Sequence, residues 1–316
     1  MSDKALAKKA VNDPLQKPVE SKLQYLWRVN KSGWGFLLPF FVLFMVFTIV
    51  PVFIAMALSF TDYNMLQTPH FTGITNYMLL ILEDDVFITA IENTLVFSCI
   101  IGPVGYIMSF LMAWFISLCK RGRGALALAF YAPSLTSGTA MSVIWMVIVS
   151  GDRTGYLNHL LLKIGLINDP ILWTKDATYI LPIIVVISAW MSMGTGFLVF
   201  LAGLQNIDPE LYEAGKVDGI KNPAQQLWFI TLPLMKPQLL FGAINSIVSS
   251  LAVFDIATAV AGFPSPNYAA HTIVAHLYDY AFTRFQMGYA SAIAMFLFLL
   301  SFTLSQICMR IFSQQD

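Results

Sequence analysis

Six uncharged, mostly apolar runs dominate the chain, at residues 32–61, 93–119, 124–151, 177–207, 237–254 and 285–309. Each reaches the roughly 18 residues that mark a transmembrane helix, and none carries the polar stripe at helical spacing expected of a soluble helical core. The alternating segments of about 10 residues that build a membrane barrel are missing too. The pattern predicts an all-α, polytopic membrane protein with six transmembrane helices.

Between the fourth and fifth runs the pattern changes to charged and small residues. Asp208-Pro209-Glu210 starts a helix, because Asp can cap free N–H groups and Pro at the first helical position has no hydrogen bond to lose. Asp218-Gly219 ends it, and Asn222-Pro223-Ala224-Gln225 starts a second with a box-like cap. On the first helix Leu211, Ala214, Gly215 and Asp218 share one face, where a partner backbone would approach the two small residues among charges. The helix-turn-helix therefore reads as a docking surface rather than a lipid-facing one.

Composition agrees with a bilayer setting. Hydrophobic residues make up 57% of the 316 positions and charged ones 11%, above the roughly 45–50% apolar content of soluble proteins. The net charge of zero conceals an asymmetry that sets orientation. Lys4, Lys8, Lys9, Lys17, Lys22, Arg28, Lys31, Lys120, Arg121, Arg123, Lys216, Lys221, Lys236 and Arg310 all fall on one side of a six-span chain, and they are 14 of the 18 basic residues. The opposite side holds only Arg153, Lys163, Lys175 and Arg284. The positive-inside rule places both termini and the 208–236 segment in the cytoplasm. The first external loop, with Asp62, Glu83, Asp84 and Asp85 and no Lys or Arg, fits that orientation.

Residues 1–33 are polar and Lys-bearing, without the apolar core of a cleaved secretory signal, so they read as a cytoplasmic segment before a transmembrane domain over 34–312 and a tail at 313–316. Tyr25, Trp27 and Trp34 read as interfacial aromatics. Cys99, Cys119 and Cys308 lack the spacing of zinc ligands or a disulfide framework. His70, His159, His271 and His276 read as loop or interface residues, with no metal expected. Gly215-Lys216 is followed by Val217 and preceded five residues earlier by Glu210, so no nucleotide-binding loop forms there. The chain is not expected to be an enzyme, and no catalytic residue is assigned.

Glu213-Ala214-Gly215, Asp218-Gly219 and Ile230-Thr231-Leu232-Pro233 resemble the EAA loop of permease subunits of binding-protein-dependent ABC importers. Ser59-Phe60-Thr61-Asp62-Tyr63-Asn64, residues 71–77 and Met287-Gly288-Tyr289-Ala290-Ser291-Ala292 are similar to carbohydrate permeases of the maltose-transporter type. The resemblance covers about residues 34–312. Two positions depart from it: Gly215 stands where Ala is usual, and Ile220 where a small residue is common.

The resemblance implies a sugar or oligosaccharide importer of the bacterial or archaeal cytoplasmic membrane, working by alternating access. It implies a second homologous permease, two cytoplasmic ATPase subunits and an extracytoplasmic solute-binding protein as partners. ATP and Mg would be bound by the ATPases and no cofactor by this chain, with no nucleic acid involved. Coupling to the ATPases would fall to Glu210, Glu213, Ala214, Gly215, Lys216, Asp218, Gly219 and Lys221. Permeases for glycerol phosphate or polyamine, and ion-coupled secondary transporters, are the alternatives. A phosphorylated solute would call for an inward Arg or Lys, which no span interior has.

For a substrate path the polar residues inside the spans are the candidates. Ser246, Ser249, Ser250 and Val253 form one face of the fifth span beside Asn245, and Trp190, Ser192 and Thr195 interrupt the aliphatic fourth. Hydroxyls and amides there either bind a sugar or hold helices together, and Trp190 either stacks on a sugar or packs. Counted from Glu213 and Pro233, Ser192, Thr195, Ser246, Ser249 and Ser250 match sugar-site positions of the maltose-type family. Asp255 reads either as a gate residue or as an interface residue in reach of water. Pro51, Pro103, Pro133 and Pro182 lie within spans and are expected to set kinks.

Overall fold

The computed structural model describes residues 22–119, 121–136 and 138–313. Lys4, Lys8, Lys9, Lys17 and Lys120, and the tail at 314–316, lie outside the described residues. The chain divides into two compact units, residues 1–54 and 55–316.

In the first unit helix α1 (Lys22–Phe44) leads into a π-helical turn at Met45–Ile49. Pro51, at the start of α2 (Val50–Leu58), has no N–H for the carbonyl four residues earlier, and the wider turn just ahead of it accommodates that missing bond. Phe36, Phe40 and Phe47 are exposed, as befits a helix whose solvent is lipid.

The second unit is arranged along α4 (Asp85–Leu118), a helix of 34 residues. At about 1.5 Å per residue it is longer than the roughly 30 Å hydrocarbon layer, and its first two turns carry Asp85 and Glu92. Ahead of it lies α3 (Thr75–Leu82), and after it come α5 (Arg123–Leu135), α6 (Gly138–Ile148), α7 (Tyr156–Lys163), α8 (Ala177–Met191) and α9 (Thr195–Gln205). The polar segment forms α10 (Pro209–Val217), α11 (Pro223–Gln226) and the short α12 (Leu232–Leu234). The chain ends through α13 (Lys236–Leu251), α14 (Asp255–Ala261), α15 (Ile273–Tyr278) and α16 (Met287–Ser313). Among the described residues there is no β-strand beyond one isolated bridge, Thr61 to Phe71.

Five stretches are helical, long and apolar enough to cross a membrane: Gly33–Leu58, Asp85–Leu118, Ala177–Gln205, Lys236–Ala261 and Met287–Phe312. The third apolar run of the sequence differs, because it is divided into α5 and α6, of 13 and 11 residues. Pro133 stands in the last turn of α5, which closes with the Thr136 N–H on the Pro133 carbonyl. Periodicity alone cannot register such a break, since the run stays uncharged from 124 to 151.

Three buried clusters hold α4 in place. One joins Phe97 and Ile101 of α4 to Ile180, Ile184 and Ile187 of α8 and to Ile256 and Val260 of α14. A second joins Phe110, Ala113 and Ile116 to Phe197, Phe200 and Leu204 of α9 and to Leu239 of α13. The third sets Leu80 and Phe87 against Ile273, Tyr289 and Ile293. Between the first two clusters the α8–α9 helix breaks, and there a cavity opens.

Candidate functional site

The break occupies Ser192–Gly194, between the end of α8 and the start of α9. Ser192 caps α8 by turning its N–H back to the Ala189 carbonyl, and the Gly194 N–H closes on the Ser192 carbonyl at 2.8 Å. Such interrupted backbone is tolerated at membrane depth only where protein or a cavity satisfies it. Here α4 supplies both. Ser109 Oγ donates to the Ser192 carbonyl at 3.2 Å, and Gly105 lets the break come close, since a Cβ there would lie 2.8 Å from that of Ser192.

The cavity beside the break has a volume of about 310 Å³ and is walled by α4, the α8–α9 junction and α13. Ser192, Thr195, Asn245, Ser246, Ser249 and Ser250 line it together, although the two groups lie some fifty positions apart in sequence. Trp190 and Asp255 do not line it. Trp190 sits two residues before Ser192, hence on another face of α8, where its ring meets Trp145 edge-on at 5.6 Å. Asp255 follows the non-helical stretch 252–254, is exposed, and stands beside Gly138 at the start of α6. The cavity also includes Tyr106, Ser109 and Ser188, which sequence reasoning passed over. Ser188 lies one helical turn before Ser192, so the spacing of four was the available signal. No charged residue is among the described residues lining this cavity.

The polar segment between the fourth and fifth apolar runs is built as its capping residues dictate. Asp208 Oδ1 accepts the Glu210 N–H at 3.0 Å with Pro209 in the first position. Gly219, at φ +96°, adopts the left-handed conformation that lets the Ile220 N–H reach the Gly215 carbonyl at 2.8 Å. Asn222 and Gln225 complete a capping box. Tyr212 of α10 hydrogen-bonds Thr231 at 3.0 Å, fastening α10 to the π-helical turn Leu227–Thr231 that precedes Pro233.

Of the coupling candidates, Glu210, Glu213, Ala214, Lys216, Asp218, Gly219 and Lys221 are exposed, as are Leu211 and Val217. Gly215 faces the other way and is buried. The Ile230 methyl occupies the place of its Cβ, with Cδ1 2.6 Å from the position a Cβ would take and Ile220 Cδ1 at 3.4 Å. The two departures from the EAA pattern are thus one packing unit: Gly215 makes room for Ile230 and Ile220. Gly215→Ala is expected to push Ile230 Cδ1 aside, a cost offset in part by the about 1 kcal/mol that Ala gains over Gly in a helix, and Ile230→Val, which removes Cδ1, should make the Ala more favourable. Thermal unfolding of the four variants in a double-mutant cycle checks this, and purely additive changes would refute it.

At the start of α4 lies a network that the sequence reading placed among loop residues. Asp84 Oδ1 caps the helix by accepting the Phe87 N–H at 2.9 Å. Its Oδ2 accepts from His276 Nε2 at 2.9 Å, Tyr289 at 2.8 Å and Tyr280 at 3.3 Å. His271 Nε2 lies 3.3 Å from His276 Nδ1. The pattern assigns a chain of donors running from His271 through His276 to Asp84, with both rings neutral. Burial pushes His271 down to about 4, helped by its neighbour His276, and burial also keeps His276 low against the pull of Asp84. Burial acts to raise Asp84, but the Phe87 N–H, the Tyr289 hydroxyl and His276 together outweigh it and hold the carboxyl below the usual range. Burial and Asp84 raise Tyr280, whose ring carries the Arg284 guanidinium at 4.3 Å. The network ties α4, α15 and α16 at one end. No short-range sequence signal connects Asp84 to His276, 192 positions away.

A multi-pass helical bundle with a broken helix at an uncharged cavity, and a capped polar helix pair between spans, is the build of a membrane transport component. The chain belongs to the family of binding-protein-dependent transport system inner membrane components, which matches residues 29–315. It is 31% identical over 269 residues to the probable ABC transporter permease protein YesP of Bacillus subtilis, covering 84% of this chain and 85% of that protein. It is also 31% identical over 275 residues to the lactose transport system permease protein LacF of Rhizobium radiobacter, covering 86% and 89%. The arabinooligosaccharides transport system permease protein AraP of Bacillus subtilis is 30% identical, covering 87% of each. In fold the chain is similar to a chain in the crystal structure of a bacterial ABC transporter involved in the import of the acidic polysaccharide alginate, with a TM-score of 0.76, 24% identity and coverage of 92% and 99%. The family is a transport component rather than an ATPase, in keeping with the missing phosphate-binding loop.

Proposed function

We propose that this chain is the permease subunit of an ABC importer for a sugar or oligosaccharide, and forms half of a pore with a second homologous subunit. A solute-binding protein delivers the sugar on the outer side. Two ATPase subunits, holding ATP and Mg, dock on the exposed face of α10 in the cytoplasm, and their closure switches the cavity between outward and inward exposure. The transmembrane domain is residues 34–312, with both termini cytoplasmic, in a bacterial or archaeal inner membrane. Neither α5 nor α6 alone reaches the roughly 30 Å of the hydrocarbon layer, so the two in succession make the third of six crossings.

The observation that carries the reading is the cavity lining. Hydroxyls, one amide and apolar side chains surround about 310 Å³ with no charged group. That suits a neutral polyol, whose hydroxyls need donors and acceptors and whose C–H faces need apolar contact. It disfavours a phosphorylated solute, which would be desolvated without a cation. The curated relatives named for lactose and arabinooligosaccharides point the same way. The test is uptake by the reconstituted transporter, with both permeases, the ATPases and the binding protein in proteoliposomes. Neutral saccharides are expected to be taken up with ATP hydrolysis, and uptake without ATP or by this chain alone would refute the assignment.

A further inference from the structure

We propose that α7 is an interfacial anchor, laying a strip of Tyr156, Leu160, Ile164 and Leu166 on the outer surface of the bilayer at the boundary of head groups and acyl chains. The proposal needs the chain to cross a membrane, and it needs no assignment of the solute. α7 has two apolar faces, and the protein covers one of them. Asn158 is fully buried, with Leu157 and Leu161 half-buried on either side, and Leu157 packs against the cluster of Phe97, Val149 and Ile180. The other face is open. Tyr156, Leu160 and Ile164, spaced four apart and so in line along the helix, are 69%, 54% and 58% exposed, and Leu166, just past the left-handed Gly165, is 70% exposed. His159 and Lys163 run alongside them, also exposed, and no carboxylate stands on the helix. An apolar strip edged by polar and basic side chains is the pattern of a helix that lies in a membrane interface.

What the strip meets is decided by where α7 is held. Asn158 Oδ1 accepts the Trp173 Nε1–H at 2.8 Å and the Ile171 N–H at 3.2 Å, and its Nδ2 donates to the Ile171 carbonyl at 3.0 Å. Trp173 lies four residues before Ala177, where the membrane-crossing stretch Ala177–Gln205 begins. Four residues reach at most about 14 Å, so α7 is tied close to the end of that span. The Trp173 ring meets Tyr179, in the first turn of α8, edge-on at 5.5 Å, and Trp and Tyr gathered at the end of a span mark the level of the lipid head groups. α7 therefore stands at that level, and it cannot lift away without breaking the bonds of a buried amide. There the medium around an outward apolar strip is lipid. Lys163, which pairs with no carboxylate among the described residues, is placed to reach a lipid phosphate. A protein that docked on the strip and left would return its large side chains to water on every cycle, which is costly for each of them. Lipid covers them throughout. Held in this way, α7 gives the outer end of α8 a fixed footing, and α8 runs from that footing to the break at 192–194.

The test places a nitroxide on Leu160→Cys, Ile164→Cys or His159→Cys, in a chain that also carries Cys99→Ala, Cys119→Ala and Cys308→Ala. The complete transporter is reconstituted into vesicles of phosphatidylethanolamine and phosphatidylglycerol. Collision of each label with oxygen, which concentrates among acyl chains, is compared with collision with a water-soluble nickel chelate. Labels at 160 and 164 should favour oxygen more strongly than the label at 159, with no change when the saccharide-loaded binding protein is added. Leu160→Asp should shift the oxygen-to-nickel ratio of the label at 164 about tenfold toward water, the loss of one buried leucine. On the chain without substitutions, a phospholipid bearing a diazirine at the top of its acyl chain should leave adducts within residues 156–166. Labels at 160 and 164 open to nickel overturn the anchor, and their closure on adding the binding protein would make the strip a protein-docking face instead. Labels closed to both reagents would bury it against another subunit. Either result sinks the proposal, as does an unsubstituted chain without lipid adducts over 156–166.

Discussion

Glu213→Lys, or deletion of residues 213–219, is expected to abolish ATP-driven uptake while the chain still inserts and assembles with its partner permease. Glu213 is exposed on α10 and makes no ion pair among the described residues, so its charge is available to a partner. Among the described residues no side chain depends on it. The segment's own stability comes instead from the Asp208 cap, the Asn222–Gln225 box, the Tyr212–Thr231 bond and the packing of Ile230 on Gly215. Reversing a charge buried at an interface costs about 2–5 kcal/mol, which at about 1.4 kcal/mol per decade lowers coupling by roughly two orders of magnitude. The measurement pairs uptake with binding-protein-stimulated ATP hydrolysis in proteoliposomes. Normal uptake by the Lys variant would remove Glu213 from the coupling contact. Tyr212→Phe offers a contrast, since it loosens the support of α10 without touching the docking face.

The second large effect concerns Asp84. Replacing it with Ala strips the cap from α4 and leaves the His276 and Tyr289 donors in a buried site with no acceptor. With each unpaired buried donor costing about 1–3 kcal/mol and the lost cap about 1, a loss of about 3–5 kcal/mol is expected. Tyr289→Phe should cost less, and Tyr280→Phe least, because its bond of 3.3 Å is the longest of the three. Thermal unfolding of the purified protein ranks them, and a wild-type melting temperature for Asp84→Ala would refute the assignment.

The same network predicts acid sensitivity. His271 binds its proton at about 4 in the folded protein but at the ordinary value near 6.5 when unfolded. Between those values the unfolded chain holds the extra proton, so stability present above about 6.5 is lost as pH falls toward 4. For this group alone the loss is on the order of 3 kcal/mol. Asp84 adds a further loss below its ordinary value of 3.8, because its carboxyl is held low in the fold. His271→Phe should flatten the upper part of the profile, and an unchanged slope between pH 6.5 and 4 would contradict the burial argument.

What could be read from the sequence was whatever depends on neighbours along the chain. The apolar runs, the Asp208 and Asn222 helix starts, the Gly219 turn and the missing nucleotide loop are all local, as is the count of four that places Ser188 with Ser192. Helical spacing also grouped Ser246, Ser249 and Ser250, and they stand on one cavity wall.

Only the tertiary structure decided what depends on where helices stop. The 192–194 break turned Ser192 and Thr195 into the cavity and left Trp190 against Trp145. The break at 252–254 ends α13 before Asp255, which stands exposed beside Gly138 and does not line the cavity. Packing turned Gly215 inward to Ile230, when its sequence neighbours Ala214 and Lys216 face outward. The Asp84–His276 bond joins positions that share no local pattern. Hydropathy and capping act over a few residues and survive in one dimension, whereas a broken helix and a long-range hydrogen bond exist only once the helices are packed.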